Sequence, residues 1–139
     1  MKQILLIEDD YVDIMSVKRE LAKLKVEFDL LVAHNGVDAL SILNDDSKGK
    51  KIIPDVILLD INMPKMNGME FLSIIKNYSA LKNIQVFITT TSSEEYDRNT
   101  AEKHGISGYI LKPLDFSETA AKKNNDVMKL KNVLMETAA

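Results

Sequence analysis

The sequence predicts an α/β fold built on a five-stranded parallel sheet that is doubly wound by helices. Short apolar runs that end in polar residues alternate with segments whose apolar residues recur every three or four positions. The runs are typical of strands buried on both faces, and the recurring pattern is typical of amphipathic helices. Strands that alternate with helices form βαβ units, which make the strands parallel. The 139 residues are enough for five such units in one domain.

The predicted strands are short, and each is either continuously apolar or rich in β-branched residues. Val56–Leu59 is the clearest, because its four apolar residues follow Pro54-Asp55 and end at Asp60. The other predicted strands cover residues 3–7, 27–33, 83–91 and 107–111. The polar stretch 44–51, which carries both signs of charge, predicts an exposed loop before the third strand.

A helix is predicted after each strand. The first has Ile14, Val17, Leu21 and Leu24 on one face, with charged residues between them. The second and third helices follow the turn signals at 35–36 and 67–68. The fourth covers 93–104, and the last runs from 117 to about 135.

The fourth predicted helix is unusually polar. Tyr96 and Ala101 are almost its only packing residues, so we expect it to be weakly anchored. Ser92 and Glu95 have the spacing of a capping box at its start, and Gly105 suits its C-terminal end.

The last predicted helix has one apolar face and a weak centre. Its apolar face consists of Ala120, Val127, Leu130 and Leu134. Its centre, the Lys-Lys-Asn-Asn stretch at 122–125, is a poor helix former. We nevertheless predict a single helix here.

Composition and charge exclude several functional classes. The formal net charge is −3 and no basic run stands out, so nucleic acid is not an expected partner. The absence of cysteine excludes disulfides, thiolate metal sites and a thiol nucleophile. The N-terminus lacks the features of a signal peptide, and no stretch approaches a membrane span. We therefore expect a soluble, cytoplasmic protein without a membrane partner.

Polar side chains follow four of the five predicted strands. Glu8 and Asp9 follow the first strand, Asp60 the third, the threonines 89–91 end the fourth, and Lys112 follows the fifth. Because the carboxyl ends of parallel strands lie at one edge of the sheet, these groups should converge in one crevice. The sequence therefore predicts three carboxylates, a hydroxyl and an ammonium in a single site.

This set of groups suits phosphoryl chemistry with a hard metal ion. Clustered carboxylates repel one another unless a cation intervenes, and oxygen ligands without cysteine favour Mg²⁺. An ammonium and a hydroxyl opposite the metal suit a phosphoryl group. A carboxylate can act as the nucleophile and form an aspartyl phosphate, and Asp60 is the candidate.

The chain resembles the receiver domain of a two-component response regulator from about residue 3 to about residue 134. The resemblance rests on the acidic pair Glu8-Asp9, the motif Asp-Ile-Asn-Met-Pro-Lys-Met-Asn-Gly at 60–68, the hydroxyl of Thr90, and Tyr-Ile-Leu-Lys-Pro at 109–113. It implies a flavodoxin-like sheet with strand order 2-1-3-4-5. We expect one receiver domain over 1–139 without an output domain, which is either a stand-alone receiver or a domain excised from a larger protein.

The resemblance assigns the phosphoryl-acceptor and metal-binding roles. Asp60 would receive a phosphoryl group from a sensor histidine kinase or a phosphotransfer protein. Asp9 would bind Mg²⁺ directly, Glu8 would bind it through water, and Asn62 would offer its backbone carbonyl. Lys112 would contact a phosphoryl oxygen.

The resemblance also implies a switch that controls protein partners. Thr90 would turn towards the phosphoryl group and Tyr109 would change rotamer, which repacks the face made by the fourth helix, fifth strand and last helix. That face would bind an unknown downstream protein or a second copy of the chain. The chain would then be a signalling module and not an enzyme, apart from removal of its own phosphoryl group. The extended loop before the third strand resembles stand-alone receivers that pair with phytochrome-type kinases.

Two other functions and several simpler interpretations remain open on the residues alone. A phosphatase of the haloacid-dehalogenase type also uses an Asp nucleophile and Mg²⁺, but it needs a second Asp where this chain has Asn62. A degenerate receiver would bind partners without phosphorylation. Thr90 could be present only because threonine favours strands, and Lys112 could be a surface lysine before a loop proline. Tyr109 could be a packing residue of its strand without a switching role. Asp10 is interpreted as a helix cap.

Overall fold

The computed structural model describes residues 1–45, 52–63, 66–91 and 95–136, with residues 95 and 96 described by their backbone only. The strands are β1 (Lys2–Ile7), β2 (Phe28–Ala33), β3 (Val56–Leu59), β4 (Gln85–Thr90) and β5 (Gly108–Leu111). The helices are α1 (Tyr11–Lys23), α2 (Gly36–Leu43), α3 (Gly68–Lys76), α4 (Glu95–Lys103), α5 (Glu118–Lys123) and α6 (Asn125–Met135). No helix in these ranges is long and apolar enough to cross a membrane.

The five strands form one parallel sheet in the order β2-β1-β3-β4-β5. The predicted fold class and strand order are therefore confirmed. The register places Ile7 of β1 opposite Leu59 of β3, so that the residues after both strands leave the sheet at the same level. This alignment brings Glu8 and Asp60 to neighbouring positions at one edge.

Two apolar layers enclose the sheet. All four residues of β3 are fully buried, which agrees with the prediction of a strand covered on both faces. One face of the sheet packs against α2, α3 and Ala101 of α4, and the other packs against α1 and α6. A buried central strand is a rigid support for the residue that follows it, which is Asp60.

Side-chain caps fix where the helices begin. The Asp10 carboxylate accepts from the backbone N–H groups of Val12 and Asp13, at 2.8 and 3.2 Å, which confirms its interpretation as a cap. Asn35 and Asn67 cap α2 and α3 in the same way. The predicted capping box that begins at Ser92 lies outside the described residues, as does most of the predicted loop 44–51.

Gly105 ends α4 in the left-handed region, at φ +76°, as the sequence predicted. The buried Ala101 anchors this helix to the sheet. The packing predicted for Tyr96 stays a prediction, because its side chain lies outside the described part of the chain.

The prediction of one final helix was wrong, because the structure breaks it into α5 and α6 at Asn124. Asn124 has extended backbone angles (φ −142°, ψ 104°), and its side chain accepts from the backbone N–H of Asp126 at 3.0 Å. Asparagine competes with helical hydrogen bonding in this way, so it caps a new helix instead of continuing the old one. As a consequence Ala121 is buried in place of the predicted Ala120.

Candidate functional site

Three carboxylates meet at the carboxyl edge of the sheet. Oxygen atoms of Glu8, Asp9 and Asp60 all lie within 4.8 Å of one another, with Glu8 and Asp60 buried and Asp9 exposed. The backbone of the neighbouring strands places them, since Asp60 N–H donates to the Ile7 carbonyl at 3.0 Å and Glu8 N–H donates to the Ala33 carbonyl at 2.9 Å. The carboxylates that the sequence singled out are thus brought together by the sheet.

The ammonium of Lys112 lies inside this cluster. Its Nζ is 2.7 Å from Glu8 Oε2, 2.8 Å from Asp13 Oδ2 and 3.4 Å from Asp60 Oδ2. The backbone N–H of Lys112 donates to the Thr90 carbonyl at 2.7 Å, which fixes the start of the side chain at the end of β5. A lysine ammonium has three N–H donors, and here three carboxylates surround it.

Asp13 was missed by the sequence analysis. It lies in the first turn of α1, and the sequence analysis gave it no role. The available signal was its position in the first turn of a helix that begins directly after the acidic end of β1. Such a position favours a place beside the carboxylates at that strand end.

Burial, hydrogen bonds and neighbouring charges together shift the pKa values of two groups in the cluster. Burial raises the pKa of the Glu8 carboxyl to about 7, and the nearby charge of Asp60 acts in the same direction against the hydrogen bond from Lys112. Burial by itself lowers the pKa of the Lys112 ammonium, but the hydrogen bonds to Asp13 and Glu8 and the charge of Asp60 outweigh burial and raise it. Lys112 is therefore a permanent cation at neutral pH, and it does not fully compensate the carboxylates around it.

The donor set fits a hard divalent cation. All three groups offer oxygen, and a site with a net excess of carboxylates attracts positive charge. Both oxygens of Glu8 already accept hydrogen bonds, Oε2 from Lys112 and Oε1 from the Asp10 N–H at 3.2 Å. Asp9 is the exposed member, which leaves it open to an ion that arrives from solvent. The Asn62 side chain is also exposed, and its backbone N–H donates to Asp60 Oδ1 at 3.1 Å.

The structure separates the threonines at the end of β4. Successive side chains of a strand point to opposite faces. Thr89 lies on the α1 face, where it lines a small cavity with Asp13 and Lys112. Thr90 lies on the opposite face with Tyr109, and both residues are buried. The hydroxyl that the sequence analysis selected thus shares a sheet face with the tyrosine that it selected.

Tyr109 is held by two residues that the sequence analysis did not identify. Its backbone N–H donates to Asp126 Oδ2 at 2.9 Å, and the Arg98 guanidinium lies 5.8 Å from the centre of its ring. Arg98 Nη2 is 3.8 Å from the same Asp126 oxygen. These contacts connect α4, β5 and α6 around the tyrosine.

Gly68 allows the segment after Asp60 to fold back onto the strand end. A Cβ atom on Gly68 would lie 2.6 Å from the Ile61 Cα and 2.7 Å from the Asp60 carbonyl oxygen, closer than packed atoms approach. The Gly68 N–H donates to the Ile61 carbonyl at 3.1 Å. The glycine is therefore required for the position of α3 beside Asp60, while residues 64 and 65 of the motif lie outside the described residues.

Comparison with known sequences identifies relatives along most of the chain. The family model described as the response regulator receiver domain matches residues 4–123. The chain is 33% identical over 115 residues to the probable methanogenesis regulatory protein FilR2 of Methanothrix harundinacea, which covers 83% of this chain and 74% of that protein. It is 33% identical over 112 residues to the response regulator Rcp1 of Synechocystis sp., covering 80% and 76% of the two chains.

Solved structures give the same result. A two-component response regulator from Legionella pneumophila has a TM-score of 0.80 and 37% identity, over 99% of this chain and 100% of that chain. The Mn²⁺-bound form of Rcp1 has a TM-score of 0.77 and 28% identity, over 100% and 98% of the chains. The bacteriophytochrome response regulator RtBRR has a TM-score of 0.79 and 31% identity, over 100% and 81%. The chain therefore belongs to the response regulator receiver family.

Proposed function

We propose that this receiver accepts a phosphoryl group on Asp60 from a sensor histidine kinase or a phosphotransfer protein, and that phosphorylation switches its binding to a protein target. One observation carries the proposal. The Asp60 carboxylate lies at the end of a rigid strand, 3.4 Å from a lysine ammonium and within 4.8 Å of two further carboxylates. A nucleophile, a charge that stabilises the phosphoryl group and a metal-binding set are thus in one place.

The transfer step uses one oxygen of Asp60. That oxygen attacks phosphorus in line with the bond between phosphorus and the kinase imidazole nitrogen. The O–P bond forms, the P–N bond breaks, and its electron pair returns to the imidazole. Asp60 Oδ1 is oriented by the Asn62 N–H and Oδ2 faces Lys112, so the carboxylate is held in a fixed plane before the donor arrives.

Glu8, Asp9 and Asp60, with the backbone carbonyl of Asn62, would hold the Mg²⁺ ion. When bound, the ion would neutralise the carboxylates and the incoming phosphoryl oxygens. The Mn²⁺-bound form of the relative Rcp1 supports a divalent ion in this family. Glu8 has both oxygens engaged by Lys112 and Asp10, which favours contact with the ion through water.

Lys112 and Thr90 serve the phosphoryl group after transfer. The Lys112 ammonium donates to a phosphoryl oxygen and offsets the charge of roughly −1.5 to −2 that a phosphoryl group carries at neutral pH. The Thr90 hydroxyl turns towards another oxygen. Its movement vacates space on the face that it shares with Tyr109, which then changes rotamer.

The output surface is the region that contains Tyr109. A groove of about 760 Å³ lies where β5 meets the α5–α6 junction, and its lining includes Tyr109, Leu111, Pro113 and Val127. A downstream protein or a second copy of the chain would bind here when Tyr109 moves. The relative RtBRR is a bacteriophytochrome response regulator, which supports a phytochrome-type kinase as the donor. We further propose that the receiver meets this donor in the cytoplasm.

The proposal is tested by intact-mass spectrometry after incubation with acetyl phosphate, with and without Mg²⁺. We expect one phosphoryl adduct in the wild type, its loss when the metal is chelated, and its loss in Asp60→Asn. Asp55→Asn is the matched control, because Asp55 lies at the opposite end of β3 and accepts from the Gln3 N–H. Absence of an adduct in the wild type with acetyl phosphate and with a panel of phosphorylated kinases would refute the proposal, as would an adduct that persists in Asp60→Asn.

A further inference from the structure

Asp13 lies beside the candidate site but outside the set of residues assigned to it. Its Oδ2 accepts from Lys112 Nζ at 2.8 Å, almost as close as Glu8 at 2.7 Å and closer than Asp60 at 3.4 Å. The Lys112 side chain is 12% exposed and that of Asp13 is 34% exposed. The contact therefore closes the outer side of the ammonium against solvent.

Three carboxylates on three different elements surround the ammonium. Glu8 follows β1, Asp13 belongs to α1 and Asp60 follows β3. A lysine side chain has four rotatable bonds, and it keeps one conformation only where fixed acceptors bind its N–H donors. Asp13 is such an acceptor, since its own N–H is held by the Asp10 cap at 3.2 Å.

Asp13 differs from the other two acceptors in its relation to the metal-binding set. Glu8 and Asp60 are members of the group of carboxylate oxygens that lie within 4.8 Å of one another, and Asp13 is not a member. Under the proposed function, a divalent ion draws on Glu8, and Asp60 becomes esterified to phosphorus. Asp13 is then the acceptor whose relation to Lys112 does not change.

We propose that Asp13 is a positioning residue that holds the Lys112 ammonium at the Asp60 carboxylate during phosphoryl transfer. The reaction part of this inference rests on the proposed function. The positional part does not, because it concerns the unphosphorylated chain alone. Asp13 lies outside the carboxylate group that is proposed to hold the ion, and its role is to act through Lys112.

The positional part is tested by NMR of the lysine side-chain ammonium groups, in unphosphorylated protein and without metal. An ammonium with fixed acceptors exchanges slowly with water and gives a distinct ¹H–¹⁵N signal. We expect a Lys112 signal, assigned by its loss in Lys112→Arg, in the wild type, in Asp13→Asn and in Glu118→Gln. Glu118 is an exposed acidic residue of α5 and serves as the control for loss of one negative charge. We expect the signal to disappear in Asp13→Ala.

The reaction part is tested by the rate of acetyl phosphate labelling of the same variants. Loss of one charge-assisted hydrogen bond that is partly screened should slow labelling of Asp13→Ala by about fivefold to tenfold. Asp13→Asn keeps an oxygen that can accept from Lys112 and should label within about twofold of the wild-type rate, as should Glu118→Gln. This rescue separates positioning from loss of charge.

Specific outcomes overturn the inference. Asp13→Ala with wild-type labelling and an unchanged Lys112 signal would show that Asp13 does not position the lysine. Equal slowing in Asp13→Asn and Asp13→Ala would assign the effect to charge and not to position. If the wild type is not labelled at all, the proposed function fails, while the ammonium spectra still decide whether Asp13 fixes Lys112.

Discussion

Glu8 should make the folded chain less stable as pH rises, and Glu8→Gln should remove that dependence. The Glu8 carboxyl is almost fully buried, and burial raises its pKa from the ordinary 4.5 to about 7. The folded state therefore binds this proton more tightly than the unfolded state does. The stabilisation from the bound proton is complete below pH 4.5 and is lost as pH rises to about 7.

The size of the effect follows from the two pKa values. A tenfold change in proton affinity is worth about 1.4 kcal/mol, so the raised pKa of Glu8 corresponds to at most about 3 kcal/mol. Gln at this position keeps an oxygen that can accept from Lys112 but carries no titrating proton. The contact with Lys112 is altered in Glu8→Gln, which reduces the effect. We expect the difference in free energy of unfolding between Glu8→Gln and the wild type to grow by about 2 kcal/mol as the pH rises from 5 to 8, in favour of the variant.

Urea unfolding at several pH values, in the presence of a chelator, measures this difference. The wild-type and Glu8→Gln curves should agree near pH 5 and separate towards pH 8, with the variant more stable. Glu118→Gln, which removes a charge from an exposed position, should remain parallel to the wild type. A difference between wild type and Glu8→Gln that stays constant with pH to within about 0.5 kcal/mol would refute the assignment of the raised pKa to Glu8.

Two further predictions concern the packing around the site. Gly68→Ala should lower the free energy of unfolding by about 2–3 kcal/mol, because the added Cβ meets backbone atoms. Gly105→Ala is its control, since that Cβ meets open space and only the positive φ is strained, at about 1 kcal/mol. Asp126→Ala should cost about 1–3 kcal/mol, because the buried N–H of Tyr109 loses its acceptor. Arg98→Ala should cost less than about 1 kcal/mol, since its pair with Asp126 is half exposed. Chemical denaturation measures all four, and equal values for the members of either pair would contradict the reasoning.

The part of the site that follows from strand ends could be predicted from the sequence. Asp60 is identified because it directly follows four consecutive apolar residues, which are typical of a buried strand. The parallel sheet then brings Glu8 and Lys112 to the same edge. These inferences need only the direction of the strands and the alternation of elements. They do not depend on how particular side chains pack.

The contacts of Asp13 and Arg98 could not be predicted in this way. Asp13 meets a lysine 99 positions further along the chain, and Arg98 meets Tyr109 across two elements. Such contacts depend on where a helix face lies after packing, which the periodicity of one helix does not determine. The break at Asn124 was signalled by a weak helical stretch, but helix propensity alone does not decide between a weak helix and two separate ones.

The break at Asn124 also protects the open edge of the sheet. β5 is an edge strand, and an edge strand with free N–H groups can pair with a strand of another chain and begin aggregation. Because α6 starts anew after the break, Asp126 is placed in its first turn and accepts from the Tyr109 N–H. An added strand would have to displace this carboxylate to pair there. The interruption of the last helix thus helps to keep molecules of this receiver from joining sheet to sheet.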